Sequence, residues 1–116
     1  MPQITVDYSA ALDDTFDRKG YARALHPVVA DTVATRVEAC RTRTRRIDDF
    51  TAGDGTADAA IVYVEIALLA GRTDEAKARL AEAAAALARD FLKPDDELTV
   101  YVSAEIRDLD ASYRKA

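Results

Sequence analysis

The chain is poor in the residues that build metal centres and covalent frameworks. It has one Cys, Cys40, and one His, His26. A single thiol excludes a disulfide framework within the chain. One His beside one Cys is too few for a zinc cluster. A Ser-His-Asp triad has no support around His26, which precedes Pro27 and reads as a helix-surface residue. The 4 glycines form no phosphate-cradling loop. No apolar run approaches the roughly 18 residues needed to span a bilayer. The opening MPQITVDYS carries neither a basic stretch nor an apolar signal core. A cytoplasmic protein without a membrane partner is expected, and a lone free thiol fits a reducing compartment.

An excess of positive charge is also lacking. Lys and Arg number 16 against 21 Asp and Glu, a net charge of -5. Such a balance favours solubility and gives no general attraction for nucleic acid. The exception is local, because Arg41, Arg43, Arg45 and Arg46 crowd into one short segment. A basic spot on an acidic protein suits a small anionic ligand better than a polyanion.

What the chain does have is apolar residues in clear periods. With 116 residues and 49% hydrophobic content, residues 1–116 suit a single domain with a real core. Ile4, Val6 and Tyr8 alternate with Gln3, Thr5 and Asp7, which predicts a strand. Tyr21, Leu25, Val28, Val29, Thr32 and Val33 share one helix face. Pro27 falls inside that pattern and predicts a kink. Residues 39–49 alternate again, with Arg41, Arg43 and Arg45 on one side and Cys40, Thr42 and Thr44 on the other. Residues 51–58 read as a loop. Residues 60–69 are nearly all apolar, which predicts a strand buried on both faces. Thr73 caps a second helix whose stripe is Leu80, Ala83, Ala84, Leu87 and Phe91. Leu98, Val100, Val102, Ala104 and Ile106 mark a last strand.

The order predicts an α+β chain made of two βαβ units, about 1–58 and 59–116. Their four strands should form one sheet with both helices on one face. Apolar residues on both sides of the strands predict an oligomer that packs sheet faces together.

MPQITVDYSAAL opens with Met-Pro and carries Tyr8-Ser9-Ala10-Ala11-Leu12 after the first strand. Arg41-Thr42-Arg43 lies on the second strand, and Ala70-Gly71-Arg72-Thr73-Asp74-Glu75 opens the second helix. In this order and spacing they resemble the 5-carboxymethyl-2-hydroxymuconate isomerases of the tautomerase superfamily, over essentially the whole chain. Ala11 stands where the family usually has Asn. The resemblance implies a tautomerase-like fold and a homotrimer with pockets between subunits. It also implies 1,3-allylic keto–enol isomerisation without metal or cofactor, in bacterial breakdown of a hydroxylated phenylacetate.

The resemblance assigns Pro2 as the catalytic base. Removal of Met1 would free its secondary amine, and nearby cations or burial would lower its basicity. A base poised near neutrality can move a proton along a conjugated system. Arg41 and Arg72 match the family's catalytic-site arginines. They suit a carboxylate substrate and a developing enolate, with Arg43 as a substrate-binding neighbour. Arg45 and Arg46 read as surface charge, Cys40 as a small apolar residue facing away from the arginines, and Tyr8 and Tyr63 as packing residues. Two alternatives remain at this stage. One is a superfamily dehalogenase or decarboxylase of small acids. The other is a non-catalytic trimeric binding or structural protein, which the change at Ala11 would suit.

Overall fold

The computed structural model describes residues 1–116. Strands β1 (Gln3–Ser9), β2 (Arg41–Ile47), β3 (Ala59–Leu68) and β4 (Thr99–Asp108) form one sheet in the order β2-β1-β3-β4. Helix α1 (Arg18–Thr32) links β1 to β2, and α2 (Asp74–Asp90) links β3 to β4. Each half is parallel: Val6 lies beside Thr44, and Val64 beside Ala104. The halves join antiparallel at the centre, where Val6 pairs with Val64. The expected pair of βαβ units in one four-stranded sheet is therefore present. Its outer edges are β2 and β4.

The core lies between the sheet and the helices. Ile4, Val6, Val62, Val64 and Ile66 from the inner strands meet Tyr21, Leu25 and Val29 of α1 and Leu80, Ala84 and Ala88 of α2. The periods of two and 3.6 single out Ile4, Val6, Tyr21, Leu25, Val29, Leu80 and Ala84 among them; Ala88 lies outside the predicted stripe of α2. Asp17 caps α1 by accepting the Gly20 amide at 3.0 Å. A Cβ on Gly20 would stand 2.2 Å from the Asp17 carboxylate, so only glycine allows that closeness. The helix runs through Pro27 unbroken, with the proline on its exposed side. Thr73 caps α2 as expected, accepting from the Ala76 amide at 3.1 Å.

Tyr21 ties the helices together. Its ring is fully buried, and its hydroxyl donates to the Ala84 carbonyl at 2.8 Å. Burial raises the pKa of this phenol well above its ordinary value. Tyr21→Phe keeps the ring and removes one bond, so we expect a loss of about 1 kcal/mol in urea unfolding. A melt at the parental midpoint would show the bond to be neutral.

The reading of β3 as buried on both faces needs correction. Its burial alternates strictly, and Ile61, Tyr63, Glu65 and Ala67 are only half-buried. The apolar Ile61 and Ala67 hide the alternation in the sequence. The helix-free face of the sheet is largely polar. Arg45 pairs with Asp7 at 2.7 Å, Arg107 pairs with Glu65 at 3.2 Å, and Tyr63 donates to Glu105. Within the protomer nothing covers that face, and it carries these ion pairs beside Ile61 and Ala67.

Candidate active site

The chain start is threaded into the sheet. The Pro2 ring is fully buried, and its carbonyl accepts the Arg41 amide at 3.1 Å. This bond extends the β1–β2 ladder by one step. It sets the beginning of β1 beside the beginning of β2, where Cys40 and Arg41 lie. Proline tolerates the position because the first residue of a strand can do without a backbone donor.

Arg72 arrives from the other half of the chain. The turn after β3 needs Gly71, whose φ of 120° is a region that side chains disfavour. The Arg72 guanidinium then reaches the end of α1. Nε and one Nη donate to the Val33 carbonyl at 3.3 and 3.2 Å, and the other Nη donates to the Leu69 carbonyl at 3.1 Å. Val33 is the C-cap of α1, where orphan carbonyls and the negative end of the helix dipole attract a cation. Three of the five guanidinium N–H groups are engaged, which leaves two for a ligand.

Arg41 is exposed and bends back on the preceding turn. One Nη donates to the carbonyls of Glu38 at 2.5 Å and Cys40 at 3.2 Å. Nε and the second Nη stay free. Arg43 is held differently, donating to Gln3 Oε1 at 3.2 Å across the β1–β2 boundary. Arg45 bonds Asp7, and Arg46 bonds Asp13 and Asp48, as surface charges do. Arg41, Arg43 and Arg72 have no carboxylate partner.

Electrostatics place the chain-start amine in this company. The pKa of this amine, which belongs to Met1, lies below the ordinary value of 8.0, first because burial disfavours the ammonium, then because of the charges of Lys115 and Arg72. Only Cys40 acts in the opposite direction. Burial raises the Cys40 thiol, while Arg41 and the amine pull it down. The thiol is buried among core residues and directed at the carbonyls of Arg36 and His26. It is packing, as the strand pattern indicates. Thus the amine, Arg72, Cys40 and Arg41 share one neighbourhood, with Arg43 two residues further along β2.

Two other expectations are settled by packing. Tyr8 is buried edge-on to Phe16, with Arg18 stacked 4.5 Å from its ring centre, and is a packing residue. His26 is not a free helix-surface residue. It is half-buried, and its Nε2 lies 2.7 Å from Thr42 Oγ1, so it fastens α1 to β2 between Arg41 and Arg43. The helix period gave no hint of this contact, which spans 16 residues in sequence. Burial, then the charge of Arg41, lowers the His26 pKa. A base with a lowered folded pKa stabilises the fold fully above the ordinary value of 6.5. That stability is lost as pH falls from there through the folded pKa. We expect the urea midpoint to drop on acidification from pH 7.5 to 5.5, and less so in His26→Gln. Parallel pH curves for the two proteins would refute the assignment.

Lys115 and Tyr113 were not marked by any motif. Lys115 is the foremost charge acting on the amine, and Tyr113 Oη accepts a bond from Gln3 Nε2 at 3.2 Å. No spacing could have found them, because they lie at the far end of the sequence from Pro2. None of the four cavities of the protomer is lined by Pro2, Arg41, Arg43 or Arg72. Ala11 is exposed beside a cavity of about 340 Å³ bordered by Asp58, Asp95 and Glu97.

Comparisons with known proteins agree with this architecture. A crystal structure of a 5-carboxymethyl-2-hydroxymuconate isomerase from Deinococcus radiodurans R1 superposes with TM-score 0.75 at 22% identity, covering 98% of this chain and 88% of that one. A 5-carboxymethyl-2-hydroxymuconate delta-isomerase reaches TM-score 0.81 at 19% identity, covering 100% and 87%. A fused 4-OT, described as a symmetric trimer, gives TM-score 0.69 at 22% identity over 92% and 85%. At these identities the likeness is one of fold. Among curated proteins no sequence matches significantly. The family model for 5-carboxymethyl-2-hydroxymuconate isomerase matches residues 2–116. The chain belongs to the 5-carboxymethyl-2-hydroxymuconate isomerase family, and its activity is of the isomerase and tautomerase type.

Proposed function

We propose that the protein is a 1,3-allylic keto–enol isomerase of an unsaturated keto-dicarboxylate, such as 5-carboxymethyl-2-hydroxymuconate, with Pro2 as its base. The observation that carries this reading is the buried Pro2 at the start of β1, bonded to Arg41 and accompanied by Arg41 and Arg72 with free N–H groups; burial, Lys115 and Arg72 disfavour the charged form of the Met1 amine next to it. Once Met1 is removed, the Pro2 nitrogen lies one residue further in. A neutral amine there accepts a proton from the substrate hydroxyl or the acidic carbon. The electron pair moves through the conjugated system, and the ammonium returns the proton at the other end. The sum is a proton shift with no net gain or loss of atoms. Free N–H groups on Arg41 and Arg72 bind a carboxylate and oppose the charge on the enolate oxygen. Arg43 binds substrate at the outer side of the site.

The reading includes a homotrimer whose active sites lie between subunits. Two features support it. The protomer has no cavity at these residues, which fits a pocket completed by a second copy. The fused 4-OT of the same fold is a symmetric trimer. The polar sheet face suits a wet interior better than a dry interface.

The direct test is ketonisation of phenylenolpyruvate and of 2-hydroxymuconate by native protein, with intact mass showing whether Met1 is gone. Turnover that depends on a free Pro2 supports the proposal. Silence on both substrates favours a non-catalytic binding protein. Halide or carbon dioxide release from small acids would move the assignment to a dehalogenase or decarboxylase.

A further inference from the structure

The end of the chain lies against its beginning, and the arrangement is specific. After β4 the Leu109 amide donates to the Leu68 carbonyl at 2.6 Å, prolonging the β3–β4 ladder by one residue. The chain then turns on Asp110. Its side chain accepts the Ser112 amide at 2.8 Å, and its carbonyl accepts the Tyr113 amide at 3.0 Å. The turn delivers Tyr113, half-buried, to Gln3. Gln3 follows Pro2 directly and has two opposite bonds. Its amide nitrogen donates to Tyr113 Oη at 3.2 Å, and its amide oxygen accepts from Arg43 at 3.2 Å. A relay of three side chains thus connects residues 109–116, the start of β1 and the arginines of β2.

Lys115 follows two residues after Tyr113. It is exposed and forms no ion pair, whereas Lys77, Arg45, Arg46 and Arg107 each hold a carboxylate. The free ammonium of Lys115 adds three donors to the free N–H groups of Arg41, Arg43 and Arg72.

We propose that residues 109–116 are a further wall of the Pro2 site, in which Tyr113 is a positioning residue and Lys115 binds the second carboxylate of the substrate. The assignment deepens the isomerase reading and rests on it for the identity of the ligand. The charges that act on the Met1 amine are those of Lys115 from this segment, Arg72 from the turn before α2 and Cys40 from the start of β2. Lys115 therefore acts twice. It attracts the anion, and it disfavours the ammonium form of the base.

Two measurements on the full chain decide it. The first is the pH midpoint of acylation of the chain-start amine, read by mass spectrometry, which requires no turnover. Lys115→Gln should move that midpoint upward, because a repelling cation is gone. Tyr113→Phe should move it the same way by a smaller amount, and Lys115→Arg should leave it in place. The second is a comparison of substrates. In Lys115→Gln the KM for the dicarboxylate 2-hydroxymuconate should rise by about three- to tenfold. The KM for the monocarboxylate phenylenolpyruvate should stay within about twofold. An unmoved midpoint overturns the placement of Lys115 at the amine. Equal KM changes for the two substrates overturn its carboxylate role. Silence of the native protein on both substrates defeats the isomerase reading instead, and the acylation midpoint still decides the placement.

Discussion

Pro2→Ala should lower kcat/KM for phenylenolpyruvate by about 10²- to 10⁴-fold, the range that a positioned general base contributes. Alanine leaves a primary amine on a freer backbone. The ring that fills the buried pocket at the start of β1 is lost, and with it the fixed direction of the nitrogen lone pair. A second variant makes the test cleaner. An uncleaved residue before Pro2 turns the amine into an amide, which has no basic lone pair, and leaves the ring in place. It should lose as much activity as Pro2→Ala or more, with little change in melting. The active protein should also show kcat/KM falling as pH drops through the pKa of the Pro2 amine, since only its free base does the work. Native rates from the extended protein would remove Pro2 from the mechanism.

Arg41→Ala should lower kcat/KM for 2-hydroxymuconate by about 10- to 100-fold, as expected for loss of charge-assisted bonds of roughly 1.5–3 kcal/mol. Its unfolding midpoint should hardly move. Arg41 is exposed and touches the protein only through the Glu38 and Cys40 carbonyls, which water can satisfy in its absence. Arg41→Lys should recover only part of the loss, because an ammonium cannot offer paired parallel donors. Unchanged kinetics in the alanine variant would return Arg41 to the surface charges. Arg72 is a poorer probe of the same idea. Its side chain also closes the C-terminus of α1 through Val33, so Arg72→Ala mixes lost binding with lost stability. Arg41 separates the two.

Patterns confined to one element were legible in the residues. The alternation of Ile4, Val6 and Tyr8 marked the helix-facing side of β1. The stripes of Tyr21, Leu25 and Val29 and of Leu80 and Ala84 marked the faces that α1 and α2 bury. Thr73 announced the start of α2. Arg41, Arg43 and Arg45 were separable from Thr42 and Thr44 by period alone. The family motifs added Pro2 and Arg72, whose importance no local pattern implied. The two misreadings have one origin. Ile61 and Ala67 made β3 look buried on both sides, and His26 looked solvated. In both cases the deciding neighbours, Glu65 with its Arg107 and Thr42 with its hydroxyl, belong to packing and not to a period.

By itself, then, the sequence determined the element order, the two βαβ halves, the core faces and the presence of free arginines near a Met-Pro start. Side-chain direction repeats every two or 3.6 residues, so it is written locally. The tertiary structure alone decided how the halves meet. Antiparallel pairing of β1 with β3 puts the turn carrying Arg72 at the same end of the sheet as Pro2 and Arg41. It alone brought Tyr113 to Gln3 and Lys115 to the amine, and turned the helix-free face of the sheet into a row of ion pairs. Gln3 and Tyr113 alone are 110 positions apart. Their geometry depends on strand register and on where loops return the chain, and a residue's near neighbours in sequence do not carry that information.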